Sequence, residues 1–404
     1  MGLSVVVPPR YSSGLLNECE WSTMISTMAV HVLHLVDAGA AECDLRTLNM
    51  LLRHLPADRV CQSVVRVGVP LAVLDVPKEI LTSSIGHGLN WPMVSGAALQ
   101  RQLRGSAVDV VFAWGAGAAA TAISSGRAEW PVVATVSDPS AAEDTSKWWR
   151  SSGGHAGRID VICSSQVVQR RLVEAGLPID ATAVIRPGVD FGEIRALGRR
   201  RDHLPIEAHD LNPLLVTASP PSRAAGQFNA VWAVAILRQI WPTAGLIVPG
   251  RSREQERIRR LVDRIDSPAA FVFTEWEHGP AALLAGADAL VAPAIDDAPT
   301  GWIPWAMAAS VPVVGSAVPC VTEMIADRHN GFLCKPDEPH TLASRIRFAL
   351  TSDDIRRQCV ETARGQAYDV FRSRQCIDAY LKVIDNILAG RRPITDVRDA
   401  AIDG

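Results

Sequence analysis

A glycine-rich turn at residues 115–120 has the spacing of a pyrophosphate-binding turn. Gly115, Gly117 and Ala120 directly follow an apolar run, and Asp138 ends the next such run 21 residues beyond Gly117. This is the G-x-G-x-x-G/A pattern that binds NAD. The alternative is a turn that only lets a strand meet its helix at close range. We favour the alternative, because the dinucleotide turn normally follows the first strand of its domain and here two strands precede it. The turn is still expected to face the cleft in which a ligand would bind.

A second candidate site is the stretch DDAPTGWIPW, residues 296–305. Asp297 carries a carboxylate, and Thr300 and Gly301 precede a helical pattern where backbone N–H groups are a natural phosphate site. Trp305 accepts no hydrogen bond. The stretch therefore raises the question of whether this indole packs in a core or contacts a ligand.

These candidates lie between alternating apolar runs and helical patterns, which are typical of parallel sheets covered by helices. The first series predicts a helix at 44–55 and strands at 31–37, 63–69, 109–114, 131–138 and 158–165. The second predicts a helix at 228–240 and strands at 214–219, 244–250, 269–274, 287–294 and 311–316. Residues 184–213 between them are rich in Pro, Gly and charge and predict a linker. Two such halves leave a cleft facing the carboxyl ends of both sheets.

Composition excludes several classes of function. The 404 residues suit two domains, and 40 basic against 43 acidic residues leave a formal net charge of −3, so nucleic acid is not an expected partner. The eight cysteines form no CxxC pair, which argues against structural zinc and a disulfide framework and favours a reducing cytoplasm. No signal peptide or transmembrane segment is predicted. Residues 1–27 precede the first strand and are interpreted as an extension that need not be ordered.

Three segments together resemble the retaining GT-B glycosyltransferases of family 4. VIRPGVD (184–190) is similar to their linker motif, and AMAASVPVVGSAVPCVTEMIADRHNGFLCKPDEPHTLASRI (306–346) to their motif A-M-A-x-G-x-P-V-V…E-x-I…G-x-L-x-x-P-x-D…L-A. HVLHLVDAGAAECDLRTL (31–48) is similar to the opening strand, turn and first helix, with Gly39 and Glu42 matching.

The resemblance implies a GT-B fold, two Rossmann-like domains facing across a cleft. The expected N-terminal, acceptor domain is 28–200, completed by a C-terminal helix at 371–390. The expected C-terminal, donor domain is 205–366, and residues 391–404 form a tail.

The resemblance also assigns donor-site roles, with departures. The family places an arginine and a lysine on the loop after the first strand of its second domain; these positions here hold Ala218 and Arg223. Arg223 would bind the diphosphate, helped by the N–H groups of Thr300 and Gly301. Two family glutamates, which serve the transferred sugar and the ribose, correspond to Asp297 and to Trp305; a one-residue gap would move the first to Asp296.

On the acceptor side, a histidine common in the family corresponds to Ser137, which is followed by Asp138. Ser137 and Asp138 would line the reacting centre with Asp297, while Gly39, Gly115 and Gly117 would lie on acceptor-side loops.

The leading interpretation is a cytoplasmic glycosyltransferase that moves a sugar from a nucleotide-sugar donor to a saccharide or lipid-linked acceptor with retention. No cofactor and no metal are expected, and a peripheral membrane contact stays open. The alternative is a catalytically inactive GT-B binding or scaffold protein, in which Trp305 fills the former ribose pocket. An epimerase, a phosphorylase and an NAD enzyme are weaker alternatives.

Overall fold

The computed structural model of the protein describes residues 30–68, 74–85, 92–127, 130–151, 159–250, 252, 254–265, 267–274, 279–391, 394 and 397. The predicted extension, residues 1–27, and most of the predicted tail lie outside these ranges. Among the helices of these ranges, none combines the length and apolar character that a bilayer crossing requires.

The first domain is built on a sheet of seven described strands in the order β3-β2-β1-β4-β5-β6-β7, all parallel. The strands are β1 (Val30–Asp37), β2 (Val60–Val67), β3 (Leu81–Ile85), β4 (Val110–Trp114), β5 (Val132–Val136), β6 (Ile159–Cys163) and β7 (Thr182–Val184). The inner strands β4, β5 and β6 are buried throughout, because helices cover both faces of the sheet. β3 and β7 form the two edges and were not predicted.

The helices of this domain follow its strands in Rossmann-like alternation. They are α1 (Glu42–His54), α2 (Pro92–Gln102), α3 (Ala116–Ser124), α4 (Ala142–Ser151) and α5 (Gln166–Glu174). A short helix, α6 (Phe191–Leu197), lies in the linker and is capped by Asp190, whose side chain accepts the N–H groups of Gly192 and Glu193.

The second domain has six described parallel strands in the order β10-β9-β8-β11-β12-β13. They are β8 (Leu214–Thr217), β9 (Gly245–Pro249), β10 (Phe271–Thr274), β11 (Ala289–Ala292), β12 (Val313–Ser316) and β13 (Phe332–Cys334). The helices are α7 (Gln227–Leu237), α8 (Gln255–Arg264), α9 (Pro280–Gly286), α10 (Ile303–Ala308), α11 (Pro319–Thr322), α12 (Pro339–Thr351) and α13 (Asp353–Val370).

The last helix, α14 (Ser373–Leu388), packs on the first sheet although it follows the second domain. Tyr380 lies against Phe112 and Trp114 of β4, with ring centroids 5.5 and 6.0 Å apart. The two segments that cross between the domains are hydrogen-bonded to each other, since Val189 donates its N–H to the Phe371 carbonyl and accepts from Ser373. This pairing ties both crossings together at the base of the cleft.

The loop after β8, which carries Arg223, is held by a buried glutamine. The Gln227 amide donates to the carbonyls of Ser219 and Pro220 and accepts the N–H of Ser222. Gly226, with φ of +71°, lies against the carbonyl of Pro293, where a side chain at residue 226 would overlap the oxygen. The loop is therefore packed tightly onto the end of β11.

Gly226→Ala should lower the free energy of unfolding by at least about 2 kcal/mol, because Ala is strained at this φ and its Cβ has no space. Gly365→Ala on α13 is the matched control, since open space surrounds that position. It should stabilise the protein by up to about 1 kcal/mol through helix propensity. Urea unfolding of both variants measures the difference, and equal stability of the two would contradict the packing argument.

Candidate functional site between the domains

A small cavity lies between the two domains at the carboxyl ends of their sheets. Its lining from the first domain includes Cys43 and Ser137, and its lining from the second includes Thr300, Gly301 and Cys320. Its volume is about 30 Å³, enough for roughly one or two waters. Sites for small organic ligands usually measure about 300–1,000 Å³. The described conformation is therefore closed.

The glycine-rich turn is filled by a carboxylate of the protein itself. Asp37, at the end of β1, accepts the N–H groups of Gly39 and Ala118, each at 2.5 Å. A Cβ at Gly115 or Gly117 would lie 2.5 or 2.6 Å from the same carboxylate. Burial raises the pKa of Asp37, and the backbone N–H groups oppose that rise. The Asp37 carboxylate therefore occupies the space beside α3 where a pyrophosphate would lie, which supports the structural alternative; the role of the turn stays a prediction.

The three acceptor-side glycines, Gly39, Gly115 and Gly117, thus surround one buried acid. Their expected contact with an acceptor stays a prediction. Asp37 was not singled out in the sequence, although its place at the end of the first strand, opposite the glycine turn, was visible.

Ser137, in the position of the family histidine, is paired with a buried acid of α1. Its hydroxyl is 2.5 Å from Oδ1 of Asp44. Burial raises the pKa of Asp44 to about 7, while the Ser137 hydroxyl and the Ala41 backbone oppose the rise and the charges of Asp138 and Asp37 add to it. An ionised Asp44 accepts the serine proton, whereas a protonated Asp44 can donate and free the serine O–H for the cavity. The pair can therefore change the polarity of the cavity wall near neutral pH.

Asp44 was missed as a site residue. Its sequence signal was its position four residues before Leu48, on the buried stripe of the predicted helix. An acid on an apolar stripe must be neutral or find a partner. Asp138, by contrast, accepts the N–H of Ser140 at 2.8 Å and caps a short 3₁₀ turn; its catalytic role stays a prediction.

Asp297 is held by arginines of the first domain. Its side chain is 3% exposed, and Oδ2 lies 2.8 Å from Nε of Arg171 and 3.6 Å from Arg170. Neighbouring Asp296 lies 3.1 Å from Arg171. Within the described residues, Oδ1 of Asp297 has no hydrogen-bond partner although it is buried. One carboxylate oxygen thus bonds across the cleft, while the other is buried and unpaired, and Asp297 lies outside the lining of the interdomain cavity.

Thr300 and Gly301 line the cavity, but α10 begins later, at Ile303. Their N–H groups therefore belong to the turn before the helix rather than to its first residues. A Cβ at Gly301 would lie 3.0 Å from Sγ of Cys43 in the first domain. The lack of a side chain at this position lets the two domains approach closely.

Two tryptophans of this segment differ in role. Trp302 donates its indole N–H to Glu42 of α1 at 3.0 Å, across the cleft, and Glu42 also bonds Arg46. Trp305 is 7% exposed and belongs to the hydrophobic core of the second domain. The contact between domains is therefore made by Trp302, which the sequence did not single out, while Trp305 packs.

A buried ion pair links the linker side of the first domain to the second. Arg186 lies 2.9 Å from Glu323, with side chains 4% and 9% exposed. Glu323 also accepts the N–H groups of Gln166 and Val167 at the start of α5, where a negative charge is favoured.

Arg223, the predicted diphosphate ligand, is exposed and does not line the closed cavity.

Comparison with known proteins identifies the architecture as GT-B. Residues 206–366, the second domain, match the family described as Glycosyl transferases group 1. Anabaena Alr3699/HepE, solved in complex with UDP-glucose, is 21% identical, with a TM-score of 0.69 over 89% of this chain and 99% of that one. WaaG, a glycosyltransferase involved in lipopolysaccharide biosynthesis, is 16% identical, with a TM-score of 0.65 over 89% and 99%.

A curated relative is similar over a shorter stretch. N-acetyl-alpha-D-glucosaminyl L-malate synthase of Bacillus anthracis is 26% identical over 145 residues, which are 36% of this chain. The match spans 38% of the length of that relative. The predicted fold class, two Rossmann-like parallel sheets in a GT-B arrangement, is confirmed.

Relative to wild type, the Asp44→Asn variant should gain stability as the pH rises from about 4 to about 7. In this window the unfolded Asp44, with an ordinary pKa near 3.9, has lost its proton, whereas the folded one retains it until about pH 7. The stability that the raised pKa of Asp44 contributes is therefore complete at low pH and is lost as the pH rises through this window. Because Asn stays neutral, the difference in unfolding free energy from wild type should grow by a few kcal/mol.

Exposed Asp58→Asn is the control for the chemical change. Urea unfolding across this pH range measures both differences. A difference for Asp44→Asn that does not change with pH would contradict a proton held on Asp44.

Proposed function

We propose that the protein is a glycosyltransferase of the family 4 type, in the hexosyltransferase class, which moves a sugar from a nucleotide-sugar donor to a saccharide or lipid-linked acceptor with retention. The observation that carries the proposal is the interdomain cavity. Its second-domain wall lies in the segment that matches glycosyl transferases group 1. Its first-domain wall carries the Ser137 hydroxyl on the ionisable Asp44.

The donor is proposed to bind on the second-domain side after the domains separate. Arg223, on its rigid loop, would bind the diphosphate as a bidentate cation, and the turn at Thr300 and Gly301 would add N–H groups. The unpaired Oδ1 of Asp297 would accept a hydroxyl of the donor sugar. We propose that no metal is needed; an unchanged rate in the presence of EDTA is the expected result. HepE was solved with UDP-glucose, which makes UDP-sugars the first class to test.

The acceptor is proposed to approach from the first domain, where Ser137 would hold its hydroxyl. A charged Asp44 orients the Ser137 lone pairs toward that hydroxyl, so that the serine accepts its proton in a hydrogen bond. Asp138 would line the same region. The seven described cysteines are free thiols, which supports our proposal that the protein acts in a reducing cytoplasm.

A second candidate function is that of a GT-B protein without catalysis. It is favoured by the burial of Trp305 and by the Arg171–Asp297 ion pair, which already uses part of the expected sugar-binding carboxylate. This protein would bind a ligand through its cleft without transferring a sugar.

Activity can be tested with UDP-, GDP- and ADP-sugars, by calorimetry for binding and by slow donor hydrolysis for turnover. We expect one UDP-sugar to bind and to be hydrolysed. Ser137→Ala should lower the rate by about tenfold, the effect of one lost hydrogen bond in the transition state. Ser140→Ala, at a nearby exposed serine, is the control. Binding without hydrolysis would support the second candidate, and no binding of any sugar nucleotide would reject the proposal.

Arg223→Ala should weaken binding of that UDP-sugar by about tenfold, the scale of a charge-assisted hydrogen bond. Unchanged affinity would remove Arg223 from the donor site.

NMR of the anomeric proton in the transferred product tests retention.

Trp305→Phe should lower the free energy of unfolding by about 1–3 kcal/mol, because it leaves space in the core. It should leave the affinity for the sugar nucleotide unchanged, since the indole packs inside the second domain. Denaturant unfolding and calorimetry measure the two effects. A large loss of affinity with little loss of stability would instead show that the indole contacts the nucleoside.

A further inference from the structure

A second cavity, far larger than the interdomain one, lies on the helical side of the second domain. It measures about 210 Å³. Part of its lining is apolar and includes Phe191 and Ile194 of α6 with Ala281 and Ala285 of α9; we call this part the floor. We call the whole cavity the rear cavity. None of its lining residues lines the interdomain cavity.

Three arginines line the same cavity. Arg195 follows Ile194 on α6, Arg199 lies just after α6, and Arg364 comes from α13. The lining contains no carboxylate. Arg199 donates to the Leu284 carbonyl at the end of α9, whereas the side chains of Arg195 and Arg364 form no hydrogen bond or ion pair with any described residue. Arg195 and Arg364 therefore bring positive charge to an apolar pocket whose lining has no carboxylate, whereas Arg199 feels the charge of Asp288 outside the lining.

A neighbouring cavity of about 340 Å³ shares Arg199 and Ser310 with the rear cavity but has a different charge balance. Its own arginines, Arg356 and Arg357, are paired with Asp353 and Asp354 of the same helix. It is also lined by Asp288. An anion is therefore expected in the rear cavity rather than in its neighbour.

We propose that the rear cavity binds a small organic phosphate whose apolar group rests on the floor while the phosphate lies among Arg195, Arg199 and Arg364. A guanidinium binds phosphate through two parallel hydrogen bonds, and exposed arginines that lack partners can turn toward it without breaking existing contacts. A dry cavity of about 150 Å³ is enough for benzene. The rear cavity thus has space for one ring or a short aliphatic group, and this proposal does not depend on the proposed enzymatic function.

The two cavities lie at opposite ends of α10. Thr300 and Gly301, before the helix, line the interdomain cavity, and Ala308, Ala309 and Ser310, at and after its end, line the rear cavity. Six residues of helix span about 9 Å. The two sites are thus separate in space but share one rigid element.

Calorimetric titration of the full chain with phenyl phosphate tests the proposal. We expect saturable binding in the millimolar range or tighter, and weaker binding of inorganic phosphate, which lacks the apolar group. The double variant Arg195→Gln with Arg364→Gln should lose affinity by about tenfold or more, since each arginine supplies a charge-assisted contact. The matched control is Arg347→Gln with Arg391→Gln, which removes two exposed arginines elsewhere.

Arg223→Gln distinguishes this site from the proposed diphosphate site and should leave phenyl phosphate binding unchanged. Loss of binding in Arg223→Gln but not in the Arg195 and Arg364 double variant would overturn the proposal. Equal affinity of the double variant and its control would also overturn it. The proposal would also be overturned if the protein bound vesicles of phosphatidylglycerol but no soluble phosphate ester, because the site would then recognise a membrane surface.

Discussion

The buried ion pair between Arg186 and Glu323 is the interaction on which the closed arrangement of the two domains depends. Both side chains are almost fully removed from solvent, and a charge buried in this way is tolerated only while its partners stay in place. Glu323 meets this condition with one guanidinium and two backbone N–H groups at the start of α5. Separation of the domains must expose these groups to water together, so the pair favours two discrete states over a range of intermediate ones.

Other polar groups that meet across the cleft are also paired with each other. Parallel strands end at the cleft on both sides, so their final residues and the turns after them supply the polar groups that meet there. In the closed state these groups bind one another: Arg171 bonds Asp297, and Glu42 accepts from Trp302. A donor that enters the cleft must therefore replace intramolecular partners. Replacement of one polar partner by another is far less unfavourable than desolvation without a partner.

Much of the fold could be predicted from the sequence, because parallel strands buried on both faces are continuous apolar runs and are easily separated from amphipathic helices. The predicted helix at 44–55 is observed as Glu42–His54, and the strand at 63–69 as Val60–Val67. The strands that were missed, β3, β7 and β13, have three to five residues and lie at sheet edges. β7 and β13 have only three residues, too few to show a period, and β3 (LTSSI) has polar residues where the buried strands are apolar.

The site was less predictable, because its partners are distant in the chain. Counting along the 296–308 segment led to Asp297 and Trp305, but no local pattern shows that Arg171, 126 residues away, would bind that acid. The local sequence also does not show that Trp302 rather than Trp305 would contact the other domain. Asp37 shows the same limit for a motif that was recognised: the spacing of the glycine turn is right for a pyrophosphate, yet a carboxylate from another strand fills it.

The position of Ser137 and Asp44 connects this internal pairing to chemistry. A histidine at residue 137 would bring its own proton equilibrium near neutral pH, whereas a serine has none. The buried Asp44, which is hydrogen-bonded to Ser137, supplies a comparable proton equilibrium, because desolvation raises the pKa of this carboxyl to about 7. The serine then transmits the protonation state of the acid to the cavity as a change in hydrogen-bond direction. Ser137 lines the cavity whereas Asp44 does not, so the buried acid can act on a ligand in the cavity only through this hydroxyl.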